Sequence, residues 1–368
     1  MRTRNRPTPN KPPKVRVLVV LGSTPELLRM APVVAVLRGM PDHFEVEVVA
    51  PALGAQFSAE ADAVGTRIDV WLALGADGDA TARVGEAMDR TPGKKPHVVL
   101  VGGDTDLVLA TALACLQRQI ELAHVGAGLR SDARTTTGPL ERRRRAITAL
   151  ASLHFPATDI GRARLLAEGV DGGSIAVTGN PIVEALEPLA ATADPEASPK
   201  TRVVTVLADE SPIGGLPRWI DEARQMALDT RSEVLLLTPE RTGTFDSDGT
   251  LAWGPAADLP GRARWLLHAR IVVTDCPDAE ETCVALGSPV VVARARTELV
   301  EALTASVSEV VGTDLVRAFA RARAELRSPR LRKGPRPLGD GKASLRVALA
   351  LTAFAARLIS DEQARRAA

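Results

Sequence analysis

The chain has 368 residues, 45 % of them apolar, and a formal net charge of +1. That length supports two domains of ordinary size. The near-neutral balance gives no electrostatic reason to expect nucleic acid as a partner. Three cysteines, Cys115, Cys276 and Cys283, are too few and too scattered for a disulfide framework, which points to a reducing, cytoplasmic setting.

Residues 1–14 (MRTRNRPTPNKPPK) are basic and Pro-rich. They lack the apolar centre of a signal peptide and read as a flexible tail. The apolar run Val15–Leu21 is too short to span a membrane and reads as a strand buried on both faces. Next, Ser23 or Thr24 can cap a helix whose first position suits Pro25 and whose positive end suits Glu26. Further on, Phe44–Ala50 reads as a strand, Gly54–Val64 as a helix, Arg67–Leu72 as a strand and Ala80–Asp89 as a helix.

Residues 98–145 organise the chain. They read as strand (Val98–Val101), Gly turn, helix, strand (Leu122–Val125), Gly turn, then a basic helix begun by Pro139. In an open parallel sheet, ligands sit just outside such turns. Asp104, Arg130 and Arg144 are therefore expected in one cleft. Asp104 and Thr105 start the helix in an N-cap position, and Asp104 reads equally as an acid/base group or as a helix cap. The other arginines of the Arg142–Arg145 run read as a solvated face. After this stretch, Leu153–Pro156 and Ser174–Val177 read as strands flanking a helix over Asp159–Glu168.

Residues 187–201 (EPLAATADPEASPKT) read as a linker. A second strand–helix alternation follows. Strands are expected at Val203–Leu207, Glu233–Leu237, Ile271–Thr274 and Val290–Val292, and helices at Pro217–Asp229, Gly261–His268, Asp278–Leu286 and Asp314–Arg327. A long amphipathic helix covers about Lys342–Arg366. The expected fold is α/β, with two doubly wound Rossmann-like domains facing a cleft. The expected boundaries are 15–186, a linker 187–201, 202–341, and a terminal helix 342–368 packing back towards the N-terminal domain. No His–Cys–Asp spacing suggests a metal, and no cofactor is expected. His124 and His154 read as satisfied core histidines.

Several stretches resemble the non-hydrolysing UDP-N-acetylglucosamine 2-epimerases. Residues 22–32 (GSTPELLRMAP) are similar to the family's G-T-R-P-E-x-x-K-M-A-P. GGDT at 102–105 is similar to H-G-D-T, VGAGLR at 125–130 to V-E-A-G-L-R, and PLERRR at 139–144 to P-E-E-x-N-R. TGNPI at 178–182, Gly312–Asp314 and Gly339–Gly341 continue the likeness. The resemblance implies a glycosyltransferase-B type fold and a nucleotide-sugar ligand. It also implies a homo- or heterodimer formed through the N-terminal domain. The family interconverts UDP-GlcNAc and UDP-ManNAc by losing UDP across C1–C2 and returning it after protonation on the other face. That route needs a base, an acid for each face, and strong help for the departing diphosphate.

The departures fall on that chemistry. Gly126 stands where the family has Glu, and Leu140 replaces the first Glu of P-E-E, although Glu141 follows. The T-G-H-R-R-E-S loop is matched by LADES, residues 207–211. The T-D-S-G-G-x-Q-E-E stretch reads Thr274 to Thr282, with Pro277 and Asp278 at the two glycines. Pro277 has no N–H for a phosphate, and Asp278 adds negative charge where one would bind. Leu299 replaces the arginine of a later E-R-P-E motif, and Thr24 an arginine of the first motif. Losing one general acid or base typically costs ~100- to 10,000-fold in rate.

The expectation is an epimerase-like protein with an eroded site. It would be a non-catalytic or accessory homologue acting with a partner such as an intact epimerase-like subunit. The alternative is an active isomerase using Asp104 and Glu141 as rebuilt catalytic groups. Arg29, Arg130, Arg144 and Glu281 are the candidate ligand-binding residues in either case. Cys276, at a helix start but beside Asp278, is a weak candidate for a reactive thiol.

Overall fold

The structure is a computed structural model. It describes residues 14–52, 54–73, 79–90, 95–131, 138–192, 203–206, 215–238, 246–247, 251–255, 258–331 and 333–367. The basic tail up to residue 13, linker residues 193–201 and the LADES stretch with Asp209 and Glu210 lie outside the described residues.

The first half alternates strand and helix: β1 (Val15–Val20), α1 (Thr24–Arg38), β2 (Phe44–Pro51), α2 (Ala55–Ala63), β3 (Val70–Leu72), α3 (Ala80–Asp89), β4 (Val98–Gly102), α4 (Asp106–Arg118), β5 (Glu121–Val125), α5 (Pro139–Leu150), β6 (Leu153–Phe155) and α6 (Asp159–Ala167). Its six strands run parallel in the order β3-β2-β1-β4-β5-β6. Strand order reverses between β1 and β4, which opens a crevice at their carboxyl ends. A bridging helix, α7 (Ile182–Thr192), leads on.

The second half holds β7 (Val203–Val206), α8 (Leu216–Thr230), β8 (Val234–Thr238), β9 (Asp246–Ser247), β10 (Leu251–Pro255), α9 (Leu259–His268), β11 (Ile271–Thr274), α10 (Pro277–Leu286), β12 (Val290–Val292), α11 (Val300–Thr304), β13 (Ser308–Val310) and α12 (Leu315–Arg327). Its order is β13-β12-β11-β7-β8-β10-β9, parallel except for the short β9 edge. The last helix, α13 (Ala343–Ala367), returns to the first half. There Val347, Ala348 and Leu351 share a core cluster with Leu27, Met30 and Val34 of α1.

Both sheets are buried on both faces, as the unbroken apolar strands require. α7 ties the halves together: Leu28 of α1 lies in one cluster with Ile182 and Leu186 of α7 and with Ala279 and Cys283 of α10. Residues 187–192, expected as linker, instead continue α7 through Pro188. Burial of Leu186 and Leu189 outweighs the lost N–H of the proline. Ser174–Val177 is not a strand. A 3-10 turn over Gly172–Ser174 is followed by a single bridge, Ile175 to His154. β3 is shorter than expected because Asp69 turns back to accept from the Val48 N–H at 2.8 Å. β9, β10 and β13 are not among the expected strands; β9 and β13 are only two and three residues long, and β10 ends in Gly254 and Pro255, both disfavoured in strands. No helix among the described residues is long and apolar enough to cross a membrane.

Candidate functional site

The site forms where the carboxyl-end turns of the first sheet face α10 of the second. β4 ends in Gly102 and Gly103, and Gly103 takes φ +103, a conformation open to glycine. Thr105 caps α4 by accepting from the Val108 N–H at 3.4 Å. Asp104 is therefore not the cap. Its carboxylate instead accepts from Arg144 Nε at 2.5 Å. Burial alone pushes the Asp104 carboxyl up. The Arg144 guanidinium beside it, with Arg29 and His124 behind, overcomes this and holds it below the usual carboxylate range.

Behind Asp104, His124 Nε2 donates to the Gly103 carbonyl at 2.7 Å. Burial pushes this imidazole down to about 4, so it is neutral near pH 7. Its buried Nδ1 has no hydrogen-bond partner among the described residues. The expectation of a fully satisfied core histidine holds for one nitrogen only. The β5 turn follows, with Gly126 at φ +79 and Gly128 at φ +82. The Gly126 N–H is spent on the Phe155 carbonyl at 2.9 Å.

The basic helix α5 lies across these turns. Arg144 is shared among Asp104, Glu298 at 3.4 Å and Glu141 at 3.7 Å. Arg143 reaches Asp106 at 2.5 Å and also donates to the Asp104 carbonyl. It is thus pinned to the turn rather than solvated. Arg130 grips Glu168 with two hydrogen bonds of 2.8 and 2.7 Å, donates to Thr148 at 3.0 Å and lies 3.2 Å from Glu141.

From the second half, α10 starts with Cys276 as N-cap residue and Pro277 at its first turn. Asp278 opens to the cleft, yet lies deep enough that desolvation, with Glu281 nearby, pushes its carboxyl up. Burial and Asp278 likewise push the Cys276 thiol up, against a reactive thiolate. Glu281 pairs across the domains with Arg29 at 2.8 Å and accepts from Asn180 Nδ2 at 2.7 Å. Both ends of the pair are buried, with side chains 7 % and 9 % exposed. Glu280 is fully enclosed, held by Arg294, by the Thr297 hydroxyl at 2.7 Å and by Ser308 at 3.2 Å.

One cavity of about 220 Å³ lies between these elements. Arg29, Asp104, Arg130, Arg144 and Glu281 all line it, so five of the six expected site residues meet there. Glu141 does not. It is 4 % exposed and stands behind Arg130 and Arg144. Leu140 and Leu299 supply apolar wall, and a Cβ on Gly126 would already touch the Arg29 side chain at 3.5 Å. Sequence reasoning missed Asn180, Glu298, Glu168 and Glu26. The first two lie inside the TGNPI stretch and the stretch matched to E-R-P-E. Glu168 carries no local signal. Glu26, read only as suited to a helix start, is 1 % exposed and pushed up to about 7 by burial. Among the described residues, no group of three or more His, Cys, Asp or Glu is arranged to hold a metal ion.

A family model described as UDP-N-acetylglucosamine 2-epimerase matches residues 54–211. A Salmonella typhimurium UDP-N-acetylglucosamine 2-epimerase is 30 % identical, aligned over 92 % of this chain and 99 % of its own length. A Listeria monocytogenes crystal structure from the same family superposes with a TM-score of 0.81 at 26 % identity, covering 93 % of this chain and 96 % of that one. The Neisseria meningitidis UDP-GlcNAc 2-epimerase, solved with UDP-GlcNAc, is similar in fold, with a TM-score of 0.76 at 23 % identity over 92 % and 99 % of the two chains. The shared two-domain architecture is of the glycosyltransferase-B type. Thirty per cent identity along nearly the full length of the Salmonella enzyme, joined to a cleft built at the same turns that the motifs mark, places the chain in the UDP-N-acetylglucosamine 2-epimerase family.

Proposed function

We propose that this chain is a non-catalytic or accessory member of its family. It acts with a protein partner such as an intact epimerase-like subunit, paired through the first domain. The observation that carries this reading is the self-neutralised cleft: Arg29, Arg130 and Arg144 each already hold a carboxylate of the same chain within 3.2 Å. An arginine so paired is poorly placed to receive a diphosphate, because each phosphate contact must first break a buried ion pair. Asp104, the surviving proton-handling residue, is held ionised by Arg144, which disqualifies it as a proton donor near neutral pH. Gly126 and Leu140 offer no carboxylate, and Glu141 stands behind the cavity wall. For these reasons the alternative, an active enzyme rebuilt on Asp104 and Glu141, has less support.

The test is a turnover assay on purified chain with UDP-GlcNAc, resolving UDP-ManNAc and free UDP by chromatography. Neither product is expected, and Gly126→Glu alone is expected to restore none. Conversion by the unmodified chain would contradict the proposal. A gain on restoring Glu would mean that the rest of the site is intact.

A further inference from the structure

The same cavity has a charge and size that select a ligand of its own. Five carboxylates line it against three guanidiniums, and the three guanidiniums are already paired. Asp278 is the exception among the acids. It makes no ion pair or side-chain hydrogen bond among the described residues and faces the cavity. Arg29 and Arg262 attract it only at longer range.

Acceptors are also in surplus over donors. His124 lines the cavity, is 4 % exposed, and keeps an Nδ1 that has no partner among the described residues and, with Nε2 as donor, is an acceptor. The turn N–H groups of Gly103 and Gly126 are directed to the Val125 and Phe155 carbonyls. They are withheld from an anion, and Pro277 has no N–H to give. The cavity, about 220 Å³, is below the ~300–1,000 Å³ usual for larger ligands. Leu129, Leu140 and Leu299 give it an apolar wall suited to the C–H face of a sugar ring.

We propose that this cavity binds a small aminated polyol, a hexosamine with a free ammonium group and no diphosphate, with the ammonium on Asp278 and the hydroxyls on the remaining acceptors. This deepens the preceding proposal and rests on it, because it requires that the cleft no longer serves a nucleoside diphosphate.

The test is calorimetry and saturation-transfer NMR on the full chain with glucosamine, N-acetylglucosamine and UDP as probes. Glucosamine is expected to bind at about millimolar affinity, the scale small polar ligands reach. N-acetylglucosamine, which lacks the charge, is expected at least about tenfold weaker, as is glucosamine on folded Asp278→Asn; this is the scale of one charge-assisted contact. UDP is expected to be silent. No saturation by glucosamine, equal binding of the two sugars, or an unchanged Asp278→Asn affinity would each overturn this inference while leaving the non-catalytic reading standing. UDP binding more tightly than glucosamine would overturn both.

Discussion

Two turns face each other across the cleft, one after β5 and one after β11, and they are built from opposite materials. The β5 turn keeps the family glycine at Gly128 and gains a second, Gly126, where the family has Glu. A Cβ on Gly128 would lie 2.6 Å from the Gly161 carbonyl oxygen, at a φ of +82. The β11 turn replaces two family glycines with Pro277 and Asp278, and no residue from Thr274 to Glu281 takes a positive φ. The retained Gly128 thus stands where the protein's own backbone leaves no room, and glycine is absent where its use would have been to admit a phosphate. Retained motifs report packing, and changed motifs report the ligand.

Arg29 lies between the two turns, and its removal has the largest expected effect. Arg29→Met strands Glu281 as a buried, uncompensated charge. Denaturant unfolding should show a loss of about 3–5 kcal/mol, most of it recovered when Glu281 is also made Leu. Gly128→Ala follows, at about 2–4 kcal/mol from a strained φ and a backbone clash. Little change there would mean that Gly128 serves a ligand after all, and the contrast between the turns would fail.

Glu26 sharpens the first-domain side. Its carboxyl moves from 4.5 to about 7 on folding. Between those values the folded state holds a proton that the unfolded state has released, so stability falls as pH rises through this window. The full loss is about 3 kcal/mol, and Glu26→Gln should abolish it in urea titrations run from pH 4.5 to 7. Asp104, held below its ordinary 3.8, does not titrate there. On the other side, replacing Pro277 and Asp278 together by glycine should cost only about 1–2 kcal/mol, the helix-propensity scale of exposed first-turn positions. A much larger loss would show that the β11 turn is structurally constrained too.

The alternation of buried strands and helices was legible because each strand is an unbroken apolar run between turn signals, as at Val98–Val101 and Ile271–Thr274. The meeting of Arg29, Asp104, Arg144 and Glu281 was legible because strand-end turns of a doubly wound sheet converge on one crevice. Their mutual pairing was not. The Arg29–Glu281 bond spans 252 residues, and no local pattern encodes it. Asp104 as a cap was undone by one hydroxyl, that of Thr105. The raised carboxyl of Glu26 depends on burial that only the packed fold creates. Residues 187–192 looked like linker because composition registers Pro188 but not the burial of Leu186 and Leu189.

The most direct test of the central claim is proton NMR of folded, purified chain with UDP-GlcNAc in deuterated water, following the sugar C2 position. Elimination and return would exchange that proton even where net product is too scarce to isolate. No deuterium at C2 and no ManNAc signals are the predicted result. Deuterium at C2 would contradict the account, because the cleft would then be accepting the diphosphate on arginines already paired with carboxylates and delivering a proton with Asp104 held ionised.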